Sequence, residues 1–359
     1  MRVGSVKEIK RHEYRVGLTP HCVRQYVKHG HEVLVEAEAG VGAGYMDEAY
    51  QEAGATLVKS RDDVYSGSDM IVKVKEPQPE EYPLLREGQI LFTYLHLAAA
   101  PELAQELINR GVKAVAYETI AEEDGRLPCL IPMSEIAGRL SIQEGAKYLE
   151  KPYGGRGVLL GGVPGVRRGR IVILGAGTVG TNACKMAVGI GADVTVLDIN
   201  AKRLVYLDDI FGTRINTLYS TAANLEASLM EADVVIGAVL VTGAAAPKLM
   251  ERHHLRCMKP GTVIVDVAVD QGGCCETTRP TTHDDPVFTE EGIVHYCVAN
   301  MPGVVALTST IALTSTTLGY GLAIADDGLE VASRHNAPLE RGINIYAGHC
   351  VHPSVAASL

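Results

Sequence analysis

The sequence predicts an α/β protein of two domains, each a mostly parallel sheet flanked by helices. Three observations carry that prediction. The chain has 359 residues, enough for two separate cores. Short β-branched runs alternate with helical segments in the first third and do so again after residue 169. A glycine-rich connection, "GGRGVLLGGVPGVRRG" at 154–169, separates the two series.

In the first series "RVGSVKE" reads as a strand and "TPHCVRQYVKHG" as a helix. Thr19 is placed to cap that helix, Pro20 to occupy its first position and Gly30 to end it. The strand "HEVLVEA" and a glycine-rich loop follow. Next comes "MIVKVKEP" at 70–77, in which strand alternation puts Met70, Val72 and Val74 on one face and Ile71, Lys73 and Lys75 on the other. A buried ammonium is costly without a partner. The stretch is therefore either an edge strand whose polar face meets water or a place that holds an anion, and the spacing does not separate the two lysines. The strand "QILFTYLHL", the helix "APELAQELINRG" and the strand "KAVAYETI" complete the series.

The second series runs through "RIVILGAGTVG", "ADVTVLDIN", "RINTLYS", "DVVIGAVLV", "TVIVDVAVDQGG" and "IVHYCVANMPG". Residues 301–325 carry no charge and are long enough to span a bilayer, but seven Ser/Thr residues interrupt them and flanking basic residues are missing. A helix buried within the folded protein is expected instead of a membrane span. A C-terminal return to the first domain makes that domain discontinuous, with expected boundaries 1–130 plus 306–359 and 131–305.

The formal charge of −10 argues against nucleic-acid and anionic-membrane partners, so an anionic ligand needs a local cationic pocket. Eight cysteines without a C-x-x-C pair, several in apolar segments, read as reduced, buried thiols. With "MRVGSV" reading as an opening strand, no signal peptide and a cytoplasmic location are expected.

"VILGAGTVG" is the strongest single signal. Gly175, Gly177 and Gly180 follow a β-branched strand and open a helix, the context that G-x-G-x-x-G requires in a Rossmann dinucleotide-binding domain. The helix N-terminus offers amides to a pyrophosphate. Asp198 closes the next strand, eighteen residues past Gly180, where a carboxylate grips ribose hydroxyls and repels a 2′-phosphate. NAD is therefore expected over NADP, with Arg203 close enough to soften the preference.

His96 ends an apolar strand. A lone histidine in such a run is ordinarily a satisfied core residue. Its place at a strand's carboxyl end, just before a helix, also suits proton transfer. "IVDVAVDQGG" puts Asp266, Ala268 and Asp270 on one strand face. Asp270 is the better acid–base candidate, set against a solvated strand end. Arg15 reads as a surface arginine or as a planar fork for a carboxylate. His253–His254 reads as a solvated helix face. No metal site is supported: H-E-x-x-H is absent, and "GHCVHP" has ligand types without a framework.

Together these residues resemble the bacterial alanine dehydrogenase family across nearly the whole chain. The segments "EYRVGLTP", "VKVKEP", "LFTYLHLAA", "PMSEIAGRLS", "GGRGVLLGGVPGV", "GAGTVGTNA", "IGAVLVTGAAAPKL", "VDVAVDQGGC" and "VANMPG" occur in the family's order. The resemblance implies NAD-dependent, reversible oxidative deamination of L-alanine to pyruvate and ammonium, by a homohexamer. It selects Lys75 over Lys73, and implies that Arg15 and Lys75 hold the substrate carboxylate while His96 and Asp270 form the catalytic pair. Ser134, Thr178, Val179, Asp198, Arg203 and Ser220 would line the cofactor site, with Val239 and Leu240. Val267, Ala268, Val269 and Asp270, Arg279, and Val298, Ala299, Asn300 and Met301 would complete it near the nicotinamide. The alternative is an NAD(H)-binding transhydrogenase-type subunit without amino-acid turnover. A dehydrogenase for another small acid also fits the fold. One departure is Ala306, where the family commonly has a proline soon after "MPG".

Overall fold

The computed structural model describes residues 1–239 and 246–359. They form two compact units, Met1–Met133 with Gly303–Leu359, and Ser134–Pro302. The first unit begins with β1 (Arg2–Ser5), β2 (Glu32–Glu36), β3 (Thr56–Val58), β4 (Met70–Val72), β5 (Ile90–Thr93) and β6 (Lys113–Ala116). The second contains β7 (Arg170–Leu174), β8 (Asp193–Asp198), β9 (Ile215–Tyr219), β10 (Val234–Gly237), β11 (Val263–Asp266), β12 (Val287–Glu290) and β13 (Ile293–Tyr296). The chain then returns to the first unit for β14 (Ile343–Tyr346) and β15 (His349–Cys350).

The first sheet has the order β15-β14-β6-β5-β4-β1-β2-β3, and the second β12-β13-β11-β10-β7-β8-β9. Neighbouring strands are parallel except at β14 and β15 in the first sheet and β12 in the second. Each order reverses once: the chain moves outward from β1 through β2 and β3, then restarts at β4 on the other side. It does the same from β7, restarting at β10. Such switch points open a crevice beyond the strands' carboxyl ends, because the two adjoining loops leave in opposite directions.

Local sequence accounts for the elements. Thr19 accepts the Cys22 N–H at 3.3 Å and Pro20 takes the first position of the helix Pro20–Lys28. Gly30 beyond it adopts φ +86°. The strands β4, β5, β7, β10, β11 and β13 are buried almost throughout, as parallel strands covered by helices must be. Val6, Tyr65, Ile71, Leu91, Leu95 and Leu107 join in the first unit's core, and Val172, Leu197, Val235, Ile264 and Leu255 in the second's.

Several expectations need correction. "MIVKVKEP" is strand only to Val72 and bends at Val74 and Lys75. "TVIVDVAVDQGG" is strand only to Asp266 and then turns into a 3-10 helix, Val267–Gln271, so Asp266, Ala268 and Asp270 do not share a strand face. The cause is Asp266 itself, whose carboxylate accepts the Ala268 N–H at 3.1 Å and turns the chain. His254 is buried, not solvated; its Nδ1 accepts the Glu251 N–H at 2.9 Å and caps the helix Arg252–Cys257. The helices Asp47–Glu52, Arg61–Gly67 and Ile131–Tyr148 and the strand β12 carry no expectation from the sequence. Six of the cysteines are buried, Cys257 is exposed and Cys350 half-buried.

The uncharged stretch forms the helix Ala306–Asp327 after a 3-10 turn at Met301–Val305. By length and composition it qualifies as a membrane span, and half of its most apolar window is buried. Two of its buried hydroxyls bond within the helix, Thr314 donating to the Thr310 carbonyl at 2.8 Å and Thr317 to that of Leu313 at 3.2 Å, while the Thr310 hydroxyl accepts the Val16 N–H at 3.3 Å. Gly321 lies where a Cβ would come within 2.1 Å of the Tyr26 hydroxyl on the helix Pro20–Lys28.

The helix Ile131–Tyr148 fixes the glycine-rich turn of the second unit by close approach. A Cβ on Gly138 would stand 2.2 Å from the Val179 carbonyl oxygen, which is rigid backbone. Gly138→Ala is therefore expected to destabilise the protein by about 1–3 kcal/mol through overpacking. Urea denaturation checks this, and an unchanged midpoint would contradict it.

Candidate functional site

Four adjacent parallel strands of the first unit deliver charged or titratable side chains to one edge. Arg15 lies on the segment after β1, Lys75 after β4, His96 after β5 and Glu118 after β6. The β1/β4 switch point falls among them.

The two lysines that the sequence left equivalent have different fates. Lys73 is 0% exposed and lies between two carboxylates, Glu8 at 3.0 Å and Glu81 at 2.9 Å. Burial works against its charge, but Glu8 and Glu81 prevail and hold its pKa above that of an ordinary lysine. Glu81 is itself fixed by the Tyr65 hydroxyl at 3.1 Å and the Gln78 N–H at 2.9 Å. Lys75 is half-buried, and its ammonium has no hydrogen-bond or ion-pair partner among the described residues. Burial, then the neighbouring Arg15 guanidinium, lowers its pKa from 10.5. Lys73 is a structural counterion, whereas Lys75 has no such partner among the described residues.

Arg15 is 2% exposed, so it is not a surface arginine. Its Nε and Nη2 donate to Glu13 at 2.6 and 2.5 Å, in bidentate fashion, and its Nη1 meets the Met133 sulfur at 3.0 Å. Burial opposes the guanidinium charge, yet Glu13 keeps its pKa above the ordinary value.

His96 does not sit in the core: its side chain is 47% exposed. The backbone there is left-handed, φ 51° and ψ 38°, which costs a non-glycine residue about 1–3 kcal/mol. The Glu118 carboxylate holds that conformation by accepting the Leu95 N–H at 3.2 Å and the His96 N–H at 2.5 Å. Glu118 also lies 4.0 Å from His96 Nδ1, and the imidazole stacks on Tyr94 with ring centres 5.8 Å apart. An exposed imidazole oriented by a carboxylate and a stacked ring is suited to moving protons.

In the second unit the glycine turn has the geometry a pyrophosphate needs. Gly175 adopts φ +104°, and a Cβ on Gly180 would lie 1.8 Å from the Gly175 carbonyl oxygen. A Cβ on Gly177 would meet nothing within 4 Å, so open space faces the turn where a phosphate would approach. The helix Thr178–Gly189 starts there with no side-chain cap, leaving the first-turn amides of Thr178 and Val179 directed at that space. Asp198, at the end of β8, accepts the Ala176 N–H at 2.6 Å on one oxygen and the Asn200 N–H at 2.7 Å on the other. Each oxygen keeps lone-pair capacity for a ribose hydroxyl. Arg203 donates to the Ala176 carbonyl at 2.8 Å and to the Thr181 hydroxyl at 2.9 Å, and its guanidinium lies over the Tyr206 ring at 4.7 Å. These contacts tie Arg203 to the turn. The residues fit a dinucleotide.

Most of the remaining positions follow strands of the second sheet at its carboxyl edge. Ser220 follows β9 and donates its N–H to the Asp198 carbonyl at 3.0 Å. Val239 follows β10 and packs on the core, while Leu240 lies outside the described residues. Ser134 belongs to the helix Ile131–Tyr148. Val267 is half-buried, Ala268 and Val269 are buried, and Asp270 is exposed, all on the 3-10 helix after β11. Arg279 lies over the Phe288 ring at 4.2 Å. Val298 and Met301 are buried, Ala299 donates to the Thr281 carbonyl at 3.3 Å, and Asn300 is left-handed at φ +63°.

The sequence reading missed Glu8, Glu13, Glu81 and Glu118 and set Asp266 aside as the lesser candidate. Asp266 is 1% exposed and accepts from the Ala268, Cys274 and Cys275 amides, at 3.1, 2.8 and 3.4 Å, and from the Thr278 hydroxyl at 2.9 Å. It is the anchor that presents Asp270. Glu8 and Glu118 follow the ends of β1 (Ser5) and β6 (Ala116) closely, which is a readable signal, whereas Glu13 and Glu81 lie well beyond β1 and β4 and carry none.

Known proteins resemble the chain along its whole length. The family models "Alanine dehydrogenase/PNT, N-terminal domain" and "Alanine dehydrogenase/PNT, C-terminal domain" match residues 4–137 and 141–353. An alanine dehydrogenase of Bacillus subtilis is 55% identical, the alignment covering 100% of this chain and 95% of the relative. One of Geobacillus stearothermophilus is 52% identical over 100% of this chain and 96% of the relative. A solved L-alanine dehydrogenase superposes with a TM-score of 0.97 at 53% identity, covering 100% of this chain and 99% of the other. A transhydrogenase from Sinorhizobium meliloti shares the fold, with a TM-score of 0.83 at 22% identity over 99% and 100% of the two chains. With both domain models matched and relatives above half identity along its full length, the chain belongs to the alanine dehydrogenase/PNT family.

Proposed function

We propose that the chain is an NAD-dependent alanine dehydrogenase, interconverting L-alanine with pyruvate and ammonium. The observation that carries this reading is the unpaired Lys75 ammonium beside the Arg15 guanidinium, at a sheet switch point. Glu13 already serves the Arg15 guanidinium, whereas Lys75 adds a positive charge without a carboxylate of its own, which favours a bound anion; the carboxylate shared by alanine and pyruvate supplies one. Relatives named alanine dehydrogenase support the same reaction. The first unit takes the substrate role and the second the dinucleotide role. Family membership supports a cytoplasmic homohexamer.

The residues act as follows. Arg15, already oriented by Glu13, and Lys75 bind the carboxylate and limit rotation about Cα, so that the C–H is presented in one direction. NAD, when bound, supplies the acceptor for the hydride of that C–H. His96 takes up and returns protons as the amine becomes an imine, as water adds, and as ammonia leaves. Asp270 orients the water or ammonia and faces the positive charge that develops on the reacting carbon and nitrogen. Asp198 selects NAD through the ribose hydroxyls, with Arg203 held back on the glycine turn.

The direct test is NADH oxidation with pyruvate and ammonium, compared with lactate and larger 2-oxo acids. Saturable oxidation requiring both pyruvate and ammonium is expected; NADH binding without oxidation would favour a transhydrogenase-type subunit and overturn the proposal. His96→Ala and Asp270→Asn are each expected to lower kcat by about 100-fold or more while NADH affinity holds. A variant that kept wild-type kcat would remove its residue from the mechanism.

The lowered Lys75 pKa gives a pH dependence. Carboxylate binding needs the ammonium form, so it is complete below the Lys75 pKa and fades as pH rises through it. Pyruvate binding to the enzyme–NADH complex, measured without ammonium, should therefore weaken at a pH below the 10.5 of an ordinary lysine. Binding that stays constant up to 10.5 would contradict the assignment.

A further inference from the structure

We propose that Glu8 is a positioning residue for Lys75, and that Lys73 serves as its buried counterion. The inference rests on the reading of Lys75 as a substrate-binding cation. β1 and β4 remain in register only as far as Ser5 and Val72. Past that point the segment keeps its contacts on the β5 side. Lys73 N–H donates to the Phe92 carbonyl at 3.1 Å, Tyr94 N–H to that of Val74 at 3.3 Å, and the Thr93 hydroxyl to that of Lys75 at 3.0 Å. On the β1 side no strand remains, and one oxygen of Glu8 replaces it. Glu8 Oε1 accepts the N–H groups of both Val74 and Lys75, at 2.7 and 3.2 Å.

In a strand, successive N–H groups point to opposite sides. Two consecutive amides converging on one oxygen require the chain to leave the pleat, and it bends at those two residues. The bend separates the lysines. Lys73 stays inward and neutralises Glu8 through Oε2 at 3.0 Å, while Lys75 departs from the face that Lys73 occupies. Without an acceptor at position 8, Val74 and Lys75 would leave two buried or half-buried amides unpaired, and the segment would relax toward the pleat. That relaxation moves the Lys75 ammonium away from Arg15.

Two double variants isolate the acceptor. Glu8→Gln with Lys73→Met keeps the accepting oxygen and removes both charges; Glu8→Leu with Lys73→Met removes the charges and the acceptor at similar volume. Lys75→Ala serves as the reference. Each is measured for pyruvate affinity in the enzyme–NADH complex, for kcat and for NADH affinity. The Leu variant is expected to bind pyruvate about tenfold more weakly than the Gln variant, with NADH affinity equal in the two. Equal pyruvate affinity in the two, with Lys75→Ala impaired, would overturn the positioning role and leave the Lys75 reading intact. If Lys75→Ala binds pyruvate as wild type does, the Lys75 reading fails instead, and the inference with it. Should the Leu variant not fold, Glu8→Gln alone must bind pyruvate within about threefold of wild type; a larger loss would refute the acceptor role.

Discussion

Charge burial governs the carboxyl edge of the first sheet. Lys73 with Glu8 and Glu81, and Arg15 with Glu13, place ionised groups where water is largely excluded, and each cation there has an acid within hydrogen-bonding distance. Leaving one partner of such a set unpaired costs about 3–5 kcal/mol, so the arrangement is held as a unit. The unit includes backbone: Glu8 takes two amides that β1 no longer reaches, and Glu81 caps the 3-10 helix Pro79–Leu84. Against that compensated background, Lys75 stands out as a cation without such a partner among the described residues, and the proposed role rests on that contrast.

The two units solve the same topological problem with different chemistry. Each sheet reverses its order once, at β1/β4 and at β7/β10, and the groups proposed to bind a ligand lie along the carboxyl edges around those reversals. In the second unit the loop is built from glycines, so backbone amides face the open space and a carboxylate closes the next strand. In the first unit, side-chain cations and an imidazole occupy the equivalent edge, held by acids from neighbouring loops. Glu118 fixes the strained backbone of His96 and Asp266 fixes the turn that carries Asp270. A buried or half-buried carboxylate accepting consecutive amides is the recurring device. It fixes loop geometry through several charge-assisted bonds to one rigid side chain.

Much of this was legible in the sequence because it rests on local rules. The Gly175-x-Gly177-x-x-Gly180 turn, the capped helix at Thr19 and Pro20, and the β-α alternation follow from residue type and spacing. Lys73 and Lys75 were not separable, because strand periodicity assigns them one face and the bend that parts them is imposed by Glu8, 65 positions from Lys73. Arg15 looked solvent-exposed because its burying partner, Glu13, lies in an irregular segment without periodicity. Asp270 was placed on a strand because the valine run continues past Asp266; the capping bond that ends the strand is a tertiary choice between two equally extended-looking continuations. His254 was misjudged for a similar reason, since a cap formed by a histidine nitrogen leaves no compositional mark.

Lys75 and Arg15 are proposed to form the carboxylate site while Lys73 remains structural. A crystal structure of the enzyme with NADH and pyruvate tests this most directly. A pyruvate carboxylate oxygen is expected within hydrogen-bonding distance of the Lys75 ammonium and of the Arg15 guanidinium, with Lys73 still on Glu8 and Glu81. Pyruvate bound away from Lys75, or a Lys73 side chain turned out to meet it, would refute the assignment.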